Sequence, residues 1–259
     1  MQQRRSQYHW IKVSGYKSWR FPYYQEQVIN DIKMNSEKVK IEIWSDIVCP
    51  FCYIGKKKLE QAIAKLDARA KVEIVWHSYQ LDPDFPKGTS KSSTEYLSQR
   101  KGYPVSQIIG IHQQLVNQAT AYGIDFQFEK SLSFNTGDAH RLWQWSRQFN
   151  KEGELKEALM KAYFTDGTDL SKKENLLAIA ESVGLDKIEA DKVLCSDLFE
   201  QEVEMDIYQA RQLGIRGVPY FLINEKASIS GAQPDQVFEH VLSAALNKEK
   251  SSAGYFRMQ

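Results

Sequence analysis

The sequence predicts an α/β fold in which one sheet is assembled from both ends of the chain around a long helical middle. Two observations carry this prediction. From Val39, a strand, a helix and a second strand follow one another within about 40 residues, the scale of a parallel βαβ unit. Two further short apolar runs stand far downstream, between Tyr220 and Ser230, beyond a stretch of helical periodicity.

Residues 1–38 show no clear amphipathic period until YYQEQVINDIK, and Asn35-Ser36-Glu37-Lys38 reads as a polar link. This segment is expected to be an N-terminal extension, with Met34 placed where a chain could begin. Val39, Ile41 and Ile43 then alternate with Lys40, Glu42 and Trp44, the period-2 pattern of a strand. After SDIV a helix is expected, with Ile54, Leu59, Ile63 and Leu66 on one side, ending near Asp67. VEIVWHSYQL, from Val72 to Leu81, is rich in β-branched and aromatic residues and reads as a buried strand. Asp82 to Gly88 closes the unit with turn chemistry.

From about 89 to 200 the pattern is wholly helical. PVSQIIGIHQQLVNQATAYG stops at Gly123, DAHRLWQWSRQFN and GELKEALMKAYF follow, and Ser171 to Glu174 has capping-box spacing ahead of NLLAIAESVG. EVEMDIYQARQLG is a further helix, ended by Gly214. Tyr220–Ile223 and Ala227–Ser230 read as paired strands around an Asn224-Glu225-Lys226 turn. Pro234 opens a last helix bearing Val237, Phe238, Val241, Leu242 and Leu246.

Composition removes several function classes. The net charge of +1, with 26% charged residues, gives no one-sign field to draw nucleic acid or a membrane surface, so neither is expected as a partner. No apolar run approaches the roughly 20 residues that span a bilayer, and residues 1–27 lack the apolar core of a secretory signal. Three cysteines in 259 residues are too few for a disulfide-stapled scaffold, which makes the cytoplasm the expected compartment.

Chemistry concentrates in SDIVCPFCYIGKKK, where Cys49 and Cys52 stand three apart at the strand-to-helix junction. On a regular helix such positions hold their Cβ atoms about 5–6 Å apart, whereas a disulfide needs about 3.5–4.5 Å. Cys49 must therefore lie at the helix lip, and Pro50 suits the first helical position, where its missing N–H costs nothing. Unpaired amides and aligned peptide dipoles at that lip favour negative charge. A thiol there is expected to fall from about 8.5 toward 7 or lower, with Asp46 opposing the fall. Cys49 is the expected nucleophile, and the more shielded Cys52 the sulfur that resolves the mixed disulfide. Two plainer readings remain: half of a zinc site, lacking a second ligand pair, and two inert core cysteines.

IEIWSDIVCPFCYIGKKKLEQ resembles the opening of DsbA-family thioredoxin-fold proteins, the FrnE-like branch above all. FNTGDAHRL, AYFTDGTDLS, GIRGVPYFLIN and SISGAQP fit the same family in order, so the likeness runs from roughly 39 to 247. It implies a thioredoxin-like domain of residues 39–81 plus 202–247, an inserted helical domain of 82–201, and a C-terminal tail of 248–259. It also implies thiol–disulfide exchange at Cys49 and Cys52, with Val218-Pro219 as a cis peptide facing them. Val218 would then offer its carbonyl and amide to an extended substrate near the sulfurs. Asn135, Thr136 and His140 match the family's N-T-x-x-A-H pattern. Asn135 or Thr136 is expected to cap a helix above His140, on an insertion turn that could reach the substrate groove. Phe51, Tyr53 and Trp143 could line the same groove, although such aromatics more often fill a core. Cys195 is expected to be a small buried residue, and Lys56-Lys57-Lys58 a solvated helix face.

The leading functional expectation is a thiol–disulfide oxidoreductase acting on a thiol- or disulfide-bearing protein or small molecule. No tightly bound cofactor or metal is expected, glutathione could serve as co-substrate, and a homodimer through the insertion is compatible with the sequence. One alternative is a glutathione-dependent transferase or isomerase of the kappa and hydroxychromene-carboxylate isomerase type. In those branches serine stands where Cys49 is, so the intact pair counts against it. The other is a non-enzymatic thioredoxin-like module that binds a metal or a partner.

Overall fold

The two faces of the first strand pack into two different clusters, which fixes the layers. The computed structural model describes residues 38–255, with side chains as far as 247. The N-terminal extension expected over 1–38 lies outside the described residues as far as 37, as do residues 256–259. Within that span the protein has an α/β thioredoxin-like fold with a large helical insertion. Strand β1 (Val39–Ser45) sends Val39, Ile41 and Ile43 into the main core, all fully buried. Its alternate residue Trp44 points into a second cluster with Ala210 and Ile215.

Helix α1 (Pro50–Lys65) begins one residue after Cys49, which is its N-cap, and Pro50 occupies the first turn. Strand β2 (Val72–Ser78) returns parallel to β1, with Val39 opposite Val72 and Ser45 opposite Ser78. The expected strand ran to Leu81, but the ladder stops three residues earlier. The Tyr79 amide still reaches the Ser45 carbonyl at 3.2 Å, and the Leu81 amide is then taken by the Asp46 side chain at 2.8 Å. A polar acceptor, not the ladder, claims the end of that apolar run.

The insertion departs from wholly helical in one place. Strands β3 (Ser90–Ser92) and β4 (Leu132–Phe134) form an antiparallel ribbon flanking helices α2 (Ser93–Lys101) and α3 (Val105–Thr120). Three-residue strands without an apolar alternation leave too little pattern to read in advance. Helix α4 (Gly137–Ser146) is buried at every position from Ala139 to Ser146 and forms the insertion's spine. Helix α5 (Glu152–Lys161) continues into a π-helical turn, Ala162–Asp166. Helix α6 (Lys173–Ser182) is not capped by Ser171 as its spacing suggested. The helix starts two residues later, and the Ser171 amide instead bonds the Asp169 carboxylate at 3.0 Å. Helix α7 (Lys187–Leu194) is capped by Asp186, whose carboxylate accepts from the Ile188 and Glu189 amides.

Helix α8 (Glu200–Gln212) leads back to the sheet, where β5 (Tyr220–Ile223) pairs antiparallel with β1 and with β6 (Ala227–Ser230), giving the order β2-β1-β5-β6. Helix α9 (Asp235–Tyr255) lays Phe238 and Leu242 into the main core. The tail expected from 248 is helical as far as Tyr255.

One polar cluster fastens α8 to the sheet. Asp206 is buried, and its carboxylate accepts from the Ser78 amide (2.7 Å) and Gln144 (2.6 Å), and meets His77 Nδ1 at 2.7 Å. His77 stacks on Trp44 at 4.4 Å between centroids, and the Trp44 indole donates to the Asp206 carbonyl. Burial alone would raise the Asp206 pKa, but the His77 hydrogen bond and charge, the Ser78 amide and Arg147 outweigh it and hold the carboxyl below its ordinary value. A depressed native pKa gives stability that is fully present above the unfolded value, about 3.9, and is lost as pH falls through the native one. Asp206→Ala is expected to cost about 3 kcal/mol in urea unfolding at neutral pH, since it strands His77 and the Ser78 amide. It should also flatten the acid limb of stability below about pH 4. A loss under about 1 kcal/mol would show that the cluster does not fasten α8.

Candidate active site

The strand-to-helix turn after β1 gathers the groups singled out in the sequence. Cys49 has extended backbone angles (φ −92°, ψ 111°), so its side chain leaves the regular spiral while its carbonyl receives the Cys52 amide at 3.0 Å. Cys49 and Cys52 are both buried, Cys52 slightly more. The Cys49 thiol also donates to the Val218 carbonyl at 3.5 Å. Val218-Pro219 is a cis peptide, and the Pro219 carbonyl accepts from the Gly231 amide at 2.8 Å, which ties this loop to the end of β6. A Cβ on Gly55 would meet Pro219 Cγ at 3.0 Å and Phe221 Cζ at 3.1 Å. The missing side chain at that position therefore lets α1 approach the prolyl loop. Phe51, between the cysteines, is 45% exposed and stands at the rim.

Asp46 organises this turn from beneath. It is fully buried; Oδ1 accepts from the Ile47 amide (2.7 Å) and faces His140 Nε2 (3.1 Å), and Oδ2 accepts from the Leu81 amide (2.8 Å). Its backbone carbonyl receives the Cys49 amide at 3.4 Å. A carboxylate so placed requires the proton of His140 on Nε2, and His140 Nδ1 has no partner.

The remaining sequence expectations divide. Asn135 does cap α4: its Oδ1 accepts from the Gly137 amide at 2.9 Å, while its Nδ2 donates to the carbonyls of Pro83 and Phe85. Thr136 is the formal N-cap but makes no capping bond with its side chain. Asn135 and Thr136 thus clasp the loop after β2 to α4, with Gln80 reaching both, and neither hydrogen-bonds the cysteines. His140 reaches the site only through Asp46. Tyr53 and Trp143 are buried core, not groove lining.

Three expectations are corrected. Lys56 and Lys58 are buried rather than solvated. Lys56 pairs with Glu60 (2.7 Å) and Glu157 (2.5 Å), and Lys58 donates to the Gln233 carbonyl at 2.9 Å. Glu60 lies one turn along α1, whereas Glu157 and Gln233 are supplied by α5 and the approach to α9, remote in sequence. Cys195 is exposed, since α7 buries Ala190 and Val193 and Cys195 follows the helix end off that stripe. Its sulfur lies 3.3 Å from Lys173 Nζ.

The third concerns charge. Cys49 was expected to be the depressed thiol, but its pKa is pushed well up. The hydrogen bond with Cys52 does most of this, followed by burial and the Cys52 charge, and Asp46 adds to it against the Cys52 amide. Burial would raise Cys52 as well. The Cys49 thiol, the Ser45 hydroxyl, the Asp46 backbone and the Lys156 charge together bring it below the ordinary value. Helix-lip placement was read correctly, but burial and a neighbouring sulfur outweigh the dipole. Sequence reasoning missed Lys156 altogether, because nothing in ELKEALMK separates a buried lysine from a solvated one.

The chain matches the family model described as DSBA-like thioredoxin domain over residues 40–243. It is 26% identical over 215 residues to uncharacterized protein YwbO of Bacillus subtilis (strain 168), covering 82% of this chain and 99% of that protein. Among solved structures, the probable DsbA oxidoreductase SCO1869 from Streptomyces coelicolor is 33% identical and superposes with a TM-score of 0.78, over 81% of this chain and 90% of that one. A 2-hydroxychromene-2-carboxylate isomerase shares the fold at 15% identity with a TM-score of 0.59, over 84% of this chain and 98% of that one.

Asp46→Asn removes a charge that raises Cys49. The Cys49 alkylation midpoint is expected to move to lower pH, at a stability cost of about 1–3 kcal/mol for the amide that loses its acceptor. An unchanged or higher midpoint in iodoacetamide rate–pH profiles would contradict this account of the thiol.

Proposed function

The chain belongs to the DSBA-like thioredoxin domain family, and from that premise we propose that it is a thiol–disulfide oxidoreductase working through the Cys49–Cys52 pair. The observation that carries this reading is the buried Cys49 thiol donating to the Val218 carbonyl, 3.5 Å away, beside the cis Val218-Pro219 peptide, with the buried Cys52 one turn along the helix that Cys49 caps. A redox pair needs two sulfurs in reach of each other and a backbone edge on which a substrate can lie next to the attacking one. Both are present here.

In this mechanism Cys49 gives its proton up to the neighbouring Cys52 thiolate, which passes it on to the first departing substrate sulfur and so regains its charge, and Cys49 attacks a substrate disulfide. The substrate's S–S bond breaks, one substrate sulfur leaves as a thiol, and a Cys49 mixed disulfide forms. Cys52 then attacks Cys49, the internal disulfide closes, and the second substrate sulfur leaves, so the substrate gains two electrons and the pair loses two. Run backward, the same steps oxidise a dithiol. Val218 and Pro219 form the edge that receives the substrate backbone, and exposed Phe51 gives it an apolar contact. Asn135, Thr136 and His140 hold the floor of the site in place. We assign the substrate as a thiol- or disulfide-bearing protein or small molecule, glutathione included, and the chain to the FrnE-like branch of the family. The cytoplasm is the compartment, where a disulfide that forms in a chain with so few cysteines is catalytic rather than structural. Among the described residues no helix is long and apolar enough to cross a membrane.

Turnover of a disulfide substrate by the reduced protein is expected to fall to background in Cys49→Ser. Cys52→Ser should accumulate a mixed disulfide on Cys49, visible as added mass on the intact protein that dithiothreitol removes. Turnover that survives Cys52→Ser and depends on added glutathione would replace this reading with the transferase or isomerase chemistry.

A further inference from the structure

Lys156 of α5 has the side chain of a surface residue in the interior of the protein. It is fully buried, and its Nζ has no hydrogen-bond partner. The amine lies 3.8 Å from the centroid of the Trp143 ring and 4.1 Å from that of Trp76, an aromatic cage built from α4 and β2. Two ring faces partly replace the water an ammonium has lost. They do not replace all of it, since a lone buried charge remains unfavourable. The next helix position, Glu157, joins the Tyr53 hydroxyl and the Lys56 and Lys57 amines, so α5 is pinned along the part of α1 that carries Cys52. Burial drives the lysine's pKa well down, and the largest opposing influence is the charge of Cys52. The other charged groups facing Lys156 are Lys56 from α1 and Arg147 beyond α4, both repelling, and Asp46 from the turn, attracting. His140 of α4 flanks the same Trp143 ring at 5.6 Å, and β2 presents the neutral face of Trp76.

We propose that Lys156 is the charge partner of Cys52, a positioning residue that the helical insertion supplies so that the resolving sulfur can ionise inside the protein. The proposal rests on the thiol–disulfide reading and adds a device to it. Each group is unfavourable as a lone buried ion, and an opposite charge nearby offsets part of that cost. When the Cys52 thiolate attacks the Cys49 mixed disulfide, the Cys52–Cys49 bond forms and the Cys49–substrate bond breaks. The electron pair leaves on the substrate sulfur. Lys156, its partner's charge gone, releases one proton to solvent, which balances the proton the departing thiolate takes up. The cage thus returns to neutral when the pair is oxidised.

The test follows Cys52 by its ultraviolet thiolate absorbance in a Cys49→Ser, Cys195→Ser background, with and without Lys156→Met. Methionine fills the cage with a neutral chain of similar length. The Cys52 midpoint is expected to rise by about one pH unit or more in the Met variant. With Cys49 restored, release of a Cys49 mixed disulfide should slow by about tenfold at neutral pH. In the otherwise unaltered protein, carbon NMR of the lysine side chain should place the Lys156 midpoint at higher pH in the reduced state than in the oxidised one. A Cys52 midpoint unmoved by Lys156→Met, or a Lys156 midpoint equal in both redox states, overturns the proposal, and the NMR comparison decides alone if the Met variant does not fold. If the wild-type pair forms no disulfide at all, the thiol–disulfide reading fails. The Cys52 titration in the serine background still decides the lysine's role.

Discussion

The buried carboxylate of Asp46 is the point at which three separate parts of the chain agree on where the cysteine turn sits. It accepts from the amide of Ile47 in its own turn, from the amide of Leu81 where the chain leaves the sheet, and it faces His140 on the spine of the insertion. Removing a carboxylate from water is unfavourable unless every acceptor site is used, and here the partners come from three elements at once. The same group fixes the entry angle of α1, because the Cys49 amide bonds its carbonyl. Cys49 is therefore placed by the insertion as well as by the sheet.

The prolyl loop meets the turn from the other side. Its approach depends on the absence of a side chain at Gly55 and on the bond from the Gly231 amide to the Pro219 carbonyl. Between Asp46 below and Val218 beside, the sulfurs have little access to water, and their charges answer to neighbours more than to the helix dipole. The neighbouring sulfur raises Cys49 and lowers Cys52, burial raises both, and Asp46 and Lys156 add smaller pushes in opposite directions.

Much of this was legible in the sequence, and what was not has a common physical cause. The βαβ unit, the strand pair at 220–230 and the helix-lip position of Cys49 rest on local periodicity and on Pro50, which a short window contains. The prolyl loop came from resemblance, since nothing in R-G-V-P alone fixes its geometry. The failures involve groups whose state is decided by distant partners. Lys56 and Lys58 looked solvated until Glu157 and Gln233 were placed on them, and Cys195 looked buried until the helix ended early. Lys156 is the clearest case, because its two tryptophans come from β2 and α4. The ribbon of β3 and β4 escaped for a different reason, being too short to carry a period.

Equilibration of the Cys195→Ser protein against a graded series of reduced and oxidised glutathione, read by quenching and intact mass, tests the central claim most directly. The account predicts a single two-electron transition in which Cys49 and Cys52 pass together between dithiol and intramolecular disulfide. Sulfurs that take up glutathione separately at every ratio, or stay reduced throughout, would contradict it.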